Sequence, residues 1–213
     1  MKNLLKVASL LLFLAPALSV NAQISIGPKA GINFATFGGN DAASDNKKSL
    51  FCYQFGAVTQ LRINETFVIQ PEFLYYQKGV KYEYELFGED LYYKQILNYF
   101  EIPILAKFTF FAQESAQVYG AIGPSFGIGL DGILKTNDFE EDIDFENDGL
   151  IKLDLSLSVG GGIQIQFGPG KCFIDVRYLL GLNGVYDTAN SDIKNRSVGV
   201  GLGYLFPLGD FNP

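Results

Sequence analysis

The sequence predicts an all-β protein, an eight-stranded antiparallel up-and-down transmembrane β-barrel, and three observations carry that expectation. The stretch from Leu150 to Phe167 alternates without a break: Ile151, Leu153, Leu155, Leu157, Val159, Ile163, Ile165 and Phe167 are apolar, while Lys152, Asp154, Ser156, Ser158, Gln164 and Gln166 between them are polar. That period of two gives a strand with one oily and one wet face. At about 3.3 Å per residue it runs roughly 55 Å, far beyond the usual strand of about five or six residues. Tilted by about 45°, some 9–11 of its residues cross a bilayer. Secondly, seven further segments share this alternation. Thirdly, the connections between them are alternately long and short, as when brief turns gather at one end of a barrel and longer loops at the other.

The first strand, 24–37, sets Ile24, Ile26, Ala30, Ile32 and Phe34 on one face with Pro28, and Ser25, Lys29 and Asn33 on the other. Pro28 is its least comfortable member, since it has no N–H to give to a paired strand. After the polar run GGNDAASDNKKS, the second strand turns Phe51, Tyr53, Phe55, Ala57, Leu61 and Ile63 outward and Cys52, Gln54, Gly56, Gln60 and Arg62 inward. A tight turn at Asn64-Glu65 leads to the third, with Phe67, Ile69, Phe73 and Tyr75 out and Gln70, Glu72, Tyr76 and Lys78 in. Segment 79–95, rich in tyrosine and mixed charge, reads as a long connection that continues the hairpin beyond the membrane.

The fourth strand presents Phe100, Ile102, Ile104, Phe108 and Phe110 outward and Glu101 and Lys107 inward. The fifth, after a short AQESA turn, alternates Val118, Ile122, Phe126, Ile128 and Leu130 with Tyr119, Gly123, Gly127 and Gly129. Small inward residues leave room for large lumenal side chains from other strands. A third long connection, 131–149, holds eight acidic residues against the single Lys135. The opening stretch is the sixth strand, closed by a Gly168-Pro169-Gly170 turn. In the seventh, Ile174, Val176, Tyr178 and Leu180 face out and Asp175 and Arg177 in. The eighth, 195–206, puts Val198, Val200, Leu202, Tyr204 and Phe206 out and glycines in. A water-soluble barrel would reverse this polarity, apolar inside and polar outside.

Residues 1–22 carry Lys2 and Lys6, an apolar run and the small-residue pattern Val20-Asn21-Ala22, the signature of a secretory signal peptide cleaved after Ala22. Residues 23–213 are then the barrel domain. The whole chain has a net charge of −7, and loss of two lysines leaves 14 basic against 23 acidic residues, or −9, which argues against nucleic acid as a partner. Cys52 and Cys172 fall at opposite ends of the barrel on this strand map and are read as free thiols.

Six cations (Lys29, Arg62, Lys78, Lys107, Lys152 and Arg177) and four anions (Glu72, Glu101, Asp154 and Asp175) face a lumen wide enough only for side chains. Mutually satisfied ion pairs filling that lumen outweigh a conducting pore, since buried charge is tolerated only when paired. Glu72 and Glu101 invite an acid/base pair of the glycosidase kind, but they lie amid lysines, and structural pairing outweighs it. Without a single His, no Ser–His or Cys–His couple can form. The run DFEEDIDFENDG offers carboxylates for Ca²⁺, yet counted from Asp142 its sixth position is Asn147 and its twelfth Leu153, where an EF-hand needs Gly and Glu, so a solvated acidic loop is preferred. GINFATFGG and SVGGG lack the Lys and following helix of a nucleotide loop. No catalytic, cofactor-binding or metal residue is assigned.

The segments GPKAGINFATF, QPEFLYYQKGVK, YFEIPILAKF, GPSFGIG, VRYLLGL and NRSVGVGLGYLF occur in that order over nearly the whole chain after residue 22. They resemble the PorT-like outer-membrane β-barrel family, often described as porin-family proteins of Gram-negative bacteria. The resemblance implies an eight-stranded barrel in the outer membrane with both termini periplasmic, lipid as its surroundings, and no assigned chemistry. Three roles follow: a monomeric structural or interaction barrel displaying its loops, a narrow porin for small solutes, or a component of a protein-secretion apparatus with other envelope proteins as partners. One departure is the extension PLGDFNP past Phe206, which leaves Phe206 or Phe211 as the terminal aromatic.

Overall fold

In the computed structural model, which describes residues 23–42, 46–86, 88–113, 115–188 and 192–208, ten strands take up most of the chain. Eight close a ring: β1 (Gln23–Gly38), β3 (Leu50–Arg62), β4 (Phe67–Leu86), β5 (Glu89–Ala112), β6 (Ala116–Thr136), β8 (Leu153–Phe167), β9 (Gly170–Gly181) and β10 (Lys194–Leu208). Each pairs antiparallel with the next in the chain, and β10 returns to β1 in a register running from Ile24↔Leu208 to Gly38↔Lys194. Closure satisfies the backbone and leaves the ring without an open edge, which a lipid environment demands. Two short strands extend the wall at one end, β2 (Lys47–Lys48) against β4 and β7 (Glu140–Ile143) against β6. The predicted signal peptide and Phe211 lie outside the described residues.

The alternation read from the sequence sets the facing of every ring strand. On β8, Leu153, Val159, Ile163, Ile165 and Phe167 are exposed, while Asp154, Ser156, Ser158 and Gln164 are buried. Across the ring the exposed side is a continuous apolar surface, where Leu202 is 63% and Phe110 76% exposed. A surface of that extent belongs against an apolar medium. Aromatic rings band it at both ends: Phe34 meets Phe51 at 5.9 Å and Phe55 meets Tyr75 at 5.1 Å near the long connections, and Phe67 meets Phe108 at 5.1 Å near the short turns.

Short connections occupy one end, at residues 63–66, 113–115 and 168–169. In the first, the Asn64 side chain accepts from the backbone N–H of Thr66 (3.0 Å) and Phe67 (2.8 Å), an Asx turn. In the last, Gly168 takes φ +59°, a left-handed conformation that glycine adopts without steric cost. The β4–β5 hairpin continues to Leu86↔Glu89, as the sequence predicts for segment 79–95.

Two expectations are corrected. The sixth predicted strand begins at Leu153, not Leu150, because Leu150 leaves the wall to bridge Tyr186 and to pack in an apolar cluster. Segment 131–149 is also not a plain loop: β6 runs through it to Thr136 and β7 folds back on β6, pairing Gly132↔Ile143 through Lys135↔Glu140.

Candidate functional site: the charged lumen and its cap

The inward side chains stack in layers along the barrel. Register places them there, since the inward positions of β4, read from the long-connection end, are Val80, Lys78, Tyr76, Leu74, Glu72 and Gln70, and neighbouring strands match them row by row.

Next to the long connections, Lys78 Nζ lies 2.6 Å from Asp154 Oδ2 and 2.8 Å from Glu101 Oε2. The second contact is an ion pair without hydrogen-bond alignment, so that oxygen has no aligned donor. Ser125 donates to Glu101 at 2.5 Å and Asn195 to Asp154 at 3.1 Å, and Lys78 also stands 4.8 Å from the centre of the Tyr99 ring. This group carries one cation and two anions.

Deeper in, Glu72 is the hub of a second group. Arg177 grips it with two hydrogen bonds of 2.8 and 2.7 Å, Lys29 lies 3.3 Å away and Gln70 donates at 2.6 Å. Asp175 closes the square, 3.0 Å from Lys29 and 2.6 Å from Arg177. Two cations therefore face two anions with nearly every oxygen engaged, the condition under which buried charge is stable. The glycines opposite make this possible. A Cβ on Gly201 would lie 2.6 Å from Lys29 Cε and 2.9 Å from Asp175 Oδ1.

A third layer is amide-rich. Gln60 donates to Gln70 (2.7 Å) and Gln164 (3.1 Å), and Lys107 donates to Gln164 at 2.6 Å while sitting 3.5 Å above the Tyr119 ring. Lys107 has no carboxylate within ion-pair distance among the described residues. Between the first two layers is a cavity of about 20 Å³ lined by Gln54, Tyr76, Glu101, Ser158 and Arg177 among others, room for a water molecule or so.

The mouth at the long-connection end is covered by an apolar cap of Phe37, Val80, Leu97, Tyr99, Ile143, Phe145, Leu150 and Val185. Phe145 packs edge-on to Tyr99 at 5.4 Å and fills the space over Gly129, where a Cβ would come within 2.4 Å of its ring. Tyr186 supports the cap by donating to Gln95 at 2.6 Å, and burial pushes its phenol up to about 12. Sequence reasoning missed this cap. Its signal was the apolar residues Ile143, Phe145 and Val185 inside otherwise polar connections.

Of the ten charges predicted in the lumen, eight meet there. Lys152 does not: it sits before β8 begins, half-exposed, 2.9 Å from Glu146. Arg62 is a half-buried residue at the short-turn rim and joins no ion pair among the described residues. Glu72 and Glu101 belong to separate groups rather than one acid/base pair. Within 131–149, Glu140 pairs with Lys135 and Glu146 with Lys152, and Asp144 accepts from the Asn147 amide at 2.6 Å. Cys52 is buried on the lumen side near the long connections, Cys172 is half-buried beside the turn into β9, and no bond joins them. The Gly-rich runs of GINFATFGG and SVGGG lie largely within β1 and β8.

A closed antiparallel ring with an apolar exterior and a charged interior defines a membrane β-barrel of the small eight-stranded kind. Residues 19–187 match the model of the outer membrane protein beta-barrel domain, and the chain belongs to that family. No curated protein matches it. Among solved structures it is similar to Neisserial surface protein A, at 14% identity over 86% of this chain and 97% of that one, with a TM-score of 0.49. It is similar as well to OprG of Pseudomonas aeruginosa (12% identity, 89% and 97%, TM-score 0.46) and to Ail, the attachment invasion locus protein of Yersinia pestis (16%, 85% and 98%, 0.44).

Proposed function

We propose that this protein is a non-conducting, non-enzymatic outer-membrane barrel that acts through what it displays at its long-connection end. The observation that carries the reading is the filled lumen: two ion clusters, an amide layer and an apolar cap occupy the cross-section in series. A narrow porin would need a continuous wet path, and Tyr99 and Phe145 stand across it. The displayed material is substantial, since β4, β5, β6 and β7 continue past the aromatic band as a folded projection.

The orientation follows that of small outer-membrane barrels, with the short turns and both chain ends on the periplasmic side and export through a signal peptide in residues 1–22. A finer kinship with PorT-like proteins rests on the shared segments alone, and a part in a secretion apparatus would require partner proteins at the displayed end. Purified barrel inserted into planar bilayers tests the reading. It predicts no stable single-channel conductance, and reproducible ohmic steps from the wild type would overturn it.

A further inference from the structure

Above the aromatic band the strand registers align four lysines in one lateral row. Lys48 of β2 is opposite Lys81 of β4, Lys81 is opposite Lys94 of β5, and Lys94 is opposite Lys135 of β6. Directly opposed residues share a face with Cβ atoms about 5 Å apart, and like charges so placed repel. The face is the outer one. Val80 and Leu97 are in the cap, Leu134 packs against it, Gln95 bonds to Tyr186 and Lys47 reaches in to the Phe37 carbonyl, so their neighbours Lys81, Lys94, Lys135 and Lys48 point the other way.

Two carboxylates contact the row: Glu83, two residues further out on β4, pairs with Lys81, and Glu140 of β7 lies opposite Lys135 at 2.6 Å. Hydrogen bonding by Lys81, with the charges of Lys48 and Lys94, holds the Glu83 carboxyl below its ordinary range. Four cations against two anions leave the row at about +2 on a chain whose net charge is −7. Further out on the same face the charge reverses, with Glu85 opposite Asp90 at the hairpin tip.

Height identifies the ligand. The outward apolar surface of these strands runs past the polar row Gln77–Asn98–Asp131, joined by hydrogen bonds of 3.1 and 2.5 Å, and ends at the opposed pair Ile96 and Ile133. On β5 and β6 the lysines are two residues beyond that pair, and on β4 Lys81 is two residues beyond Gly79, which lies opposite Ile96. At about 3.3 Å per residue and about 40° of tilt this is roughly 5 Å along the membrane normal. The headgroup layer is about 5–8 Å deep, and lysine stems lie back along a surface toward it. We propose that the row formed by Lys48, Lys81, Lys94 and Lys135 binds the phosphates of a phosphorylated lipid headgroup on the outer wall of the barrel. The anion relieves the repulsion between opposed lysines, and the acidic tip keeps the hairpin clear of the anionic surface. The site is independent of whether the lumen conducts.

The test is native mass spectrometry of the intact barrel in detergent with diphosphoryl lipid A, with the same lipid stripped of phosphate, or with inorganic phosphate. Wild type should retain the phosphorylated lipid at collision energies that strip the dephosphorylated one. Lys81→Gln/Lys94→Gln should lower retention at least tenfold, while Lys152→Gln, a single lysine removed away from the row, should leave it unchanged. Equal retention by the double variant and wild type, or equal retention of both lipids by wild type, overturns the proposal. Displacement of the lipid by millimolar inorganic phosphate also overturns it, in favour of a free-anion site. If the double variant does not fold, the two-lipid comparison on wild type decides alone. Detergent removes orientation and conductance from the result, so failure here leaves the closed-barrel reading standing.

Discussion

Glu72→Gln is the sharpest probe of the lumen. Glu72 is fully buried and accepts from Arg177 twice, from Lys29 and from Gln70, so the substitution keeps the volume and removes one of the two anions in a four-charge square. Lys29 and Arg177 are then left facing Asp175 alone. Breaking a buried ion pair from one side costs about 3–5 kcal/mol, because the remaining charge keeps its desolvation penalty and loses its partner. Adding Lys29→Met restores one cation to one anion, Arg177 with Asp175 at 2.6 Å, so the double variant should recover about 1–3 kcal/mol relative to the sum of the two single changes.

Lys107→Met is the control from the same lumen. Lys107 has no carboxylate partner among the described residues, and Gln164 Oε1 keeps a donor in Gln60 at 3.1 Å, so the substitution should cost less than about 1.5 kcal/mol. The assay is urea unfolding of barrel reconstituted in vesicles, followed by the fraction that migrates as folded protein on unheated SDS gels. A Glu72→Gln loss below about 0.5 kcal/mol, or additivity of Glu72→Gln and Lys29→Met within about 0.5 kcal/mol, would refute the argument that the charges are held as a coupled set.

Facing and sulfur chemistry give further checks. On β8, Leu157→Asn should lower the folded, heat-modifiable fraction more than Ser156→Asn, since Leu157 lies on the lipid side and Ser156 is buried in the polar lumen; equal tolerance would mean that the polar face is not the interior. A membrane-impermeant maleimide should leave Cys52 unlabelled in the folded barrel and react with it once the barrel is unfolded, and non-reducing mass spectrometry should find no Cys52–Cys172 bridge. An intramolecular disulfide would contradict the strand register.

The ring was legible because its information is periodic. A slip of one residue would turn Ser156 and Asp154 to lipid and Leu155 to the lumen, so alternation alone sets the facing of each strand, and the turn residues Asn64 and Gly168 end it. What escaped was aperiodic. Lys152 continued the alternation in sequence, yet Asn183 donates to the Leu153 carbonyl and accepts from the Leu155 N–H at 2.6 Å, so the neighbouring connection takes over where the wall stops and Lys152 turns to Glu146. The cap escaped for a related reason. Phe145 and Val185 are brought over the mouth by two separate connections, and nothing in the spacing of either announces the other.

The lumen's charges also balance on a longer scale than any single contact. Lys78 is outnumbered by Glu101 and Asp154, Lys107 has no anion beside it among the described residues, and the square of Lys29, Arg177, Glu72 and Asp175 between them is neutral. One surplus negative charge near the cap and one surplus positive charge near the short turns make the four cations and four anions sum to zero. In an interior walled by strands and shielded from salt, such separated charges still attract, because screening there is weaker than at a wet surface. The square therefore lies in the field of two opposite charges, one on either side along the barrel axis. Lys107 itself is held locally, by the Gln164 oxygen at 2.6 Å and the Tyr119 ring face at 3.5 Å, so its loss should cost little, whereas Glu72 is bonded to two cations at once and its loss should cost much.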